Sequence, residues 1–343
     1  MKRIITCSDG TWNKPNAKEE GKIVRTNVQK LFDYILTRDS KNIQQIKFYD
    51  EGIGAEGNTV TRLFNGATGK GIDENILDIY KFICWNYEQG EDFEDEIYLF
   101  GFSRGAYTAR SLAGLIRKCG ILKKNDLVLF DKAYDLYRNK DAAPDSELVK
   151  KFRNDYSYEV SRIKFIGVWD TVGSMGFPLN FLQWYNKKKY SFYDTTLSSL
   201  IENAYHAISV DEKRGNFIPT LWTKSTNPTP RDFKQVMEQR WFAGVHSNVG
   251  GGYPDESLSD IALQWMIEKA RQVGIGFDEE TIKTDVKPDV TGTLYNNRTG
   301  VFALTSSYDR KITDGIIDES VFARMDKVPE YKPKNVKRNG TQN

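Results

Sequence analysis

One stretch constrains this chain more than any other: Glu96-Ile97-Tyr98-Leu99-Phe100-Gly101-Phe102-Ser103-Arg104-Gly105-Ala106-Tyr107-Thr108-Ala109-Arg110. A short apolar run with strand character passes into Gly-x-Ser-x-Gly and then into residues at helical spacing. A serine hydroxyl is a poor nucleophile in an open helix or strand. It becomes reactive where the backbone turns sharply, directs Oγ into a cleft and leaves the next N–H facing a developing oxyanion. Gly101 and Gly105 suit such a turn, because a side chain at either place would collide with the neighbouring strand or helix. Ser103 is therefore the candidate nucleophile. The competing reading is a tight structural turn with an incidental serine.

The remaining chain repeats this alternation. Residues 3–8, 46–49, 162–169 and 240–245 read as strands. Apolar spacing marks helices from Val24 to Leu36, from Ile72 to Tyr87, from the serine turn to about Lys118, and from Ser257 to Arg271. Strands separated by helical crossovers predict an α/β fold, α/β-hydrolase-like, with a mostly parallel sheet, helices on both faces and helical insertions. The sequence reads as one domain over 1–330, with insertions around 120–160 and 174–235. Residues 331–343 form a polar, basic tail expected to fray.

In such sheets chemistry collects at the carboxyl ends of strands, and Asp9, Ser103, Asp170 and His246 all fall at such ends. A serine nucleophile needs a base poised near neutral pH, and the chain has only two histidines. His246 follows a strand and enters a glycine-rich loop in which a ring can swing over a cleft. His206, in Ala204-Tyr205-His206-Ala207-Ile208-Ser209, reads as helical or as a helix exit. The base requires an acid to hold its tautomer. Asp170 is best placed, following a strand between serine and histidine, with Asp211 and Asp255 as alternatives. The order Ser103, Asp170, His246 is that of α/β-hydrolases. Oxyanion donors are expected from the backbone N–H of Arg104 and from Gly10 or Thr11, with Asp9 bracing that loop.

Composition excludes other classes. Lys and Arg number 49 against 47 Asp and Glu, leaving +2, so no nucleic-acid partner is expected. Cys7, Cys84 and Cys119 match no zinc or redox spacing and look like reduced thiols. The N-terminal apolar run is too short for a signal peptide, which predicts a cytoplasmic protein as synthesised, with signal-independent secretion open to it. Gly52-Ile53-Gly54-Ala55-Glu56-Gly57 matches a dinucleotide-binding pattern, but no helical period follows it. Gly66 to Gly71 lacks the spacing of a phosphate loop. Phe177, Phe181 and Trp184 precede a lysine run, a pairing suited to a lipid head-group region or to a lid over an acyl groove. The alternative is an aromatic patch packed under the sheet edge with solvated lysines.

Four blocks together resemble one family. They are Cys7-Ser8-Asp9-Gly10-Thr11-Trp12-Asn13, Gly101-Phe102-Ser103-Arg104-Gly105-Ala106, Gly167-Val168-Trp169-Asp170-Thr171-Val172-Gly173 and Gly244-Val245-His246-Ser247-Asn248-Val249-Gly250-Gly251-Gly252-Tyr253. They resemble the α/β-hydrolase domain of type VI secretion phospholipase effectors of the Tle class. The resemblance implies an α/β-hydrolase fold, a Ser-Asp-His triad carried by Ser103, Asp170 and His246, and ester hydrolysis on glycerophospholipids. No metal or organic cofactor is expected to be required, and transient contact with a membrane surface is expected. Rival expectations are an esterase or thioesterase acting on small molecules, and a non-catalytic binding protein on a hydrolase scaffold, or one that binds a dinucleotide at Gly52 to Gly57.

Overall fold

The computed structural model describes residues 1–10, 17–19, 21–52, 71–158, 162–172, 195–215, 217–224, 233–298 and 307–338. The chain begins with strand β1 (Arg3–Ser8), whose six residues are all buried. The strand is covered on both faces although Arg3, Thr6 and Ser8 interrupt its apolar residues. The chain then forms a short antiparallel hairpin, β2 (Ala17–Glu19) with β3 (Lys22–Val24), and helix α1 (Asn27–Tyr34), started by the Thr26 side chain accepting the Gln29 N–H at 3.1 Å. Strand β4 (Gln45–Asp50), helix α2 (Ile72–Asn86) and strand β5 (Glu96–Phe102) follow.

Beyond the serine turn come helices α3 (Arg104–Cys119), α4 (Phe130–Arg138) and α5 (Glu147–Tyr156), then strands β6 (Ile163–Trp169), β7 (Ile201–Ser209) and β8 (Val236–Phe242). A short helix α6 (His246–Gly250), the long α7 (Ser257–Gln272), α8 (Glu279–Asp285), a two-residue strand β9 (Ile316–Ile317) and α9 (Glu319–Lys327) complete the described chain.

Among the described residues the main sheet has seven strands in the order β4-β1-β5-β6-β7-β8-β9, every pair parallel. From β1 the chain crosses outward to β4, then returns over β1 to β5 and continues in the other direction. This reversal opens a crevice at the carboxyl ends of β1 and β5, where open α/β sheets bind their ligands. Alternation along β5 separates two cores: Ile97 and Leu99 pack with α2 and α3, whereas Tyr98, Phe100 and Phe102 pack with α1 and α7. Helices therefore cover both faces, as expected of an α/β-hydrolase-like sheet.

Three local expectations change. The segment around His206 is the buried strand β7, between β6 and β8, rather than helical. A short apolar run broken by Asn203 and His206 does not distinguish strand from helix by period. The strand before His246 runs from Val236 to Phe242, stopping three residues earlier than Val245. The tail is packed rather than frayed as far as Val336: Tyr331 and Val336 are buried with Ile208, Val210 and Trp241, and Asn335 Nδ2 donates to the Val210 and Arg310 carbonyls, each at 3.0 Å.

Candidate active site

Ser103 stands between the last residue of β5 and the first of α3 with φ 57° and ψ −118°, a conformation a non-glycine residue holds only when its surroundings enforce it. The enforcement is local. The Ser103 N–H donates to the Trp169 carbonyl at the end of β6 (3.0 Å), and a Cβ on Gly101 would lie 2.4 Å from the Gly105 carbonyl oxygen. The strand therefore passes directly into the helix with Ser103 at the corner, 8% exposed. Arg104 opens α3, so its backbone N–H belongs to the positive end of the helix dipole beside the hydroxyl.

Asp170 follows β6, is fully buried and adopts φ 38°. Its N–H donates to the Ala207 carbonyl (2.7 Å), and its Oδ1 accepts the Ser209 N–H (3.0 Å), so neighbouring strand β7 sets its position. His246 is the first residue of α6 rather than part of a mobile glycine-rich loop. Asn27 ties that helix to α1 and α7 by donating to the Val249 carbonyl (2.8 Å) and the Ser259 carbonyl (2.9 Å). The ring lies against Phe102, centroids 4.7 Å apart, and meets Phe217 edge-on at 5.1 Å.

The three side chains meet. His246 Nδ1 is 2.5 Å from Asp170 Oδ2, and Nε2 is 2.8 Å from Ser103 Oγ. Burial alone would raise the Asp170 carboxyl, but Arg310 and His246 oppose it and hold the group well below the usual carboxylate range. Burial lowers His246 from its ordinary value, partly offset by Asp170, so the imidazole is neutral and able to accept a proton near pH 7.

The other candidates are placed elsewhere. His206 is buried in β7, where its Nε2 accepts the Thr171 N–H (3.0 Å). Burial and then Arg110 push it down to about 3, which keeps it a neutral structural acceptor. Asp211 accepts the Gly244 N–H (2.7 Å) and the Tyr331 hydroxyl (2.8 Å), and Asp255 accepts the Ser257 N–H (3.0 Å) and the Thr293 N–H (2.8 Å). Neither occupies the place on His246 Nδ1 that Asp170 takes.

Asp9 braces its loop as expected, with Oδ2 accepting the Thr26 hydroxyl (2.5 Å) and the Tyr49 hydroxyl (2.6 Å). Its Oδ1 accepts the Gly10 N–H at 2.6 Å. The Gly10 N–H thus has a partner in the same loop. Thr11, Phe177, Phe181, Trp184, the run 53–57 of the glycine pattern, and Gly66 and Gly69 lie outside the described residues. A cavity of about 670 Å³ is walled by Glu212, Tyr295, Arg310, Arg324 and Tyr331; Ser103 is not part of its lining.

Two residues escaped the sequence reading. Arg310 is buried and forks onto Asp170, Nη1 to Oδ1 at 2.5 Å and Nη2 to Oδ2 at 3.0 Å. Glu212 accepts the His246 backbone N–H (3.2 Å) and is held by Arg214 (2.9 Å). Neither lies in a recognisable motif, and no local pattern marks them.

A family model described as T6SS, phospholipase effector Tle1-like, catalytic domain, matches residues 2–269. An uncharacterized protein of Saccharomyces cerevisiae is 32% identical over 244 residues, covering 65% of this chain and 33% of the relative, so the chain spans about a third of that protein's length. The crystal structure of an uncharacterized protein from Pseudomonas aeruginosa superposes with a TM-score of 0.52 at 19% identity, over 84% of this chain and 49% of the other, a likeness of fold. A Tle1 effector bound to the VgrG spike of the type VI secretion system aligns with a TM-score of 0.39 at 19% identity, over 74% of this chain and 51% of that one. Among the described residues no helix is long and apolar enough to cross a membrane. With most of its length matched by that one family model, this chain belongs to the family of Tle1-like phospholipase effector catalytic domains.

Proposed function

We propose that the chain is a serine hydrolase that cleaves carboxylic esters of phospholipids. The observation that carries this reading is the relay from Asp170 to His246 (2.5 Å) and on to Ser103 (2.8 Å). His246 Nε2 takes the Ser103 proton as Oγ bonds to the ester carbonyl carbon, and the carbonyl electron pair moves to oxygen. The N–H of Arg104 receives that oxyanion, with Gly10 or Thr11 as the second donor. Collapse breaks the bond to the alcohol, which leaves with the proton from His246. Water, deprotonated by the same imidazole, then releases the fatty acid and restores Ser103. Phe177, Phe181 and Trp184 would contact the acyl chains or the lipid surface.

A fluorophosphonate probe tests the chemistry. Labelling of the wild type and not of Ser103→Ala is expected; no labelling of either favours a non-catalytic scaffold. Phospholipid vesicles and dissolved short-chain esters, both scored for released acid, test the substrate class. Turnover of the short esters alone would replace the phospholipase by a small-molecule esterase.

A further inference from the structure

Asp170 has more partners than an orienting carboxylate needs. Besides His246 and the Ser209 N–H, it receives both ends of the Arg310 guanidinium, and Arg310 is only 1% exposed. The same guanidinium donates to the Ser209 carbonyl (3.0 Å), the Ser209 hydroxyl (2.7 Å) and the Phe217 carbonyl (2.6 Å). Every one of these acceptors belongs to the end of β6, the end of β7 or the loop beyond it. Arg310 itself arrives from outside the span matched by the family, on a segment held by the Asn335 side chain (3.0 Å to the Arg310 carbonyl) and by the Tyr308 N–H on the Lys213 carbonyl (2.9 Å).

Anchoring a segment does not require a buried guanidinium, since an apolar side chain of similar volume does this without removing a charge from water. What the fork adds to the Ser209 N–H bond is a fixed carboxylate plane, because two parallel N–H bonds, one on each oxygen, resist rotation of the Asp170 carboxylate. We propose that Arg310 is a positioning residue for hydrolysis: it turns Asp170 so that Oδ2 faces His246, and its charge offsets the carboxylate so that the imidazole stays neutral. This rests on the reading of Ser103, His246 and Asp170 as the catalytic set.

The surroundings leave this role to Arg310. The charged groups facing His246 among the described residues are Asp170, Arg310 behind it, and Glu212 with Arg214 on the backbone side. Glu212 and Arg214 form their own pair at 2.9 Å. Phe102 and Phe217 cover the ring faces and carry no charge. Removing Arg310 therefore leaves one unopposed carboxylate against the imidazole, which favours the protonated ring that cannot act as a base.

The test is the rate of fluorophosphonate labelling as a function of pH for the wild type, Arg310→Met, Arg310→Lys and Ser103→Ala, with a melting curve for each. Arg310→Met is expected to label about 10- to 100-fold more slowly at neutral pH, as when a partner one step from the reacting groups is lost, with its acid limb moved to higher pH. Arg310→Lys keeps the charge without the fork; its limb should stay in place while the rate recovers in part. A folded Arg310→Met that labels at the wild-type rate overturns the proposal. So does a slower one with an unmoved limb and no recovery in Arg310→Lys, since a purely structural role predicts that. If Arg310→Met does not fold, Arg310→Lys decides: a loss of about tenfold at an unchanged melting temperature sustains the proposal, and the wild-type rate overturns it. Failure of the wild type to label removes the hydrolase reading itself. Labelling that depends on Ser103 keeps that reading whatever the Arg310 variants do.

Discussion

Gly105 lies so close to Ser8 that a Cβ on it would stand 2.1 Å from the Ser8 carbonyl oxygen and 2.5 Å from that of Asp9. The start of α3 is thus pressed onto the end of β1, where the chain reverses direction across the sheet. A methyl group there has only rigid backbone to displace. Gly105→Ala is expected to cost about 3 kcal/mol or more and to abolish labelling of Ser103. Gly114→Ala, further along the same helix, would place its Cβ 3.5 Å from the Tyr137 ring and should gain up to about 1 kcal/mol from helix propensity. Chemical denaturation of both variants checks the contrast, and equal stabilities would contradict the close approach.

Asp170 and Ser103 should separate activity from stability. Ser103→Ala removes the nucleophile but leaves the buried charges paired, so unfolding free energy should change by no more than about 1 kcal/mol. Asp170→Asn is expected to lower turnover about 10⁴-fold by releasing the imidazole tautomer. It also strips the carboxylate from buried Arg310 and should cost about 3–5 kcal/mol. A urea titration of Asp170→Asn that matched wild type would mean Arg310 does not depend on this carboxylate.

Acid should destabilise the fold partly through His206. Burial pushes that imidazole down to about 3 in the folded chain, below its value in the unfolded chain, and His246 is shifted in the same direction. The contribution is complete above the unfolded value near 6.5 and is lost as pH falls, because the unfolded chain binds the proton first. The slope is roughly 1 kcal/mol per pH unit for each such group. His206→Gln retains an acceptor for the Thr171 N–H but cannot titrate. Its stability deficit relative to wild type, measured by urea at about pH 7 and about pH 4.5, should therefore shrink at the lower pH. A constant deficit would exclude His206 as a source of acid sensitivity.

Trp184→Ala and Phe181→Ala test the lipid contact. Each is expected to reduce acid release from phospholipid vesicles about tenfold more than from dissolved short-chain esters, the loss of one interfacial aromatic anchor. Parallel losses on both substrates would remove these residues from the lipid contact and leave them as packing.

The serine turn was readable in the amino-acid sequence because its constraints are local. A buried strand, two glycines that a side chain would obstruct and a helix start all act within a few residues of Ser103, and Asp170 directly follows an apolar strand, while His246 lies a few residues beyond the end of β8. The family blocks carried the same information. His206 was misread for a related reason: residues 201–209 form a strand only because β6 and β8 flank them, and their own pattern does not require it.

What tertiary structure alone decided is how polar groups pair across long separations. The Asp9 carboxylate gathers the Gly10 N–H with the Thr26 and Tyr49 hydroxyls, partners 17 and 40 residues away in the latter two cases. The Arg310 fork reaches Asp170 across 140 residues, on a segment whose packing through Tyr331 and Val336 no local pattern announces. The amino-acid sequence by itself determined the turn and the candidate nucleophile, base and acid, because steric and periodic constraints are written into neighbouring residues. The charge balance of the site was decided only by the folded chain, because burial and ion pairing belong to groups that have no proximity until the chain brings them together.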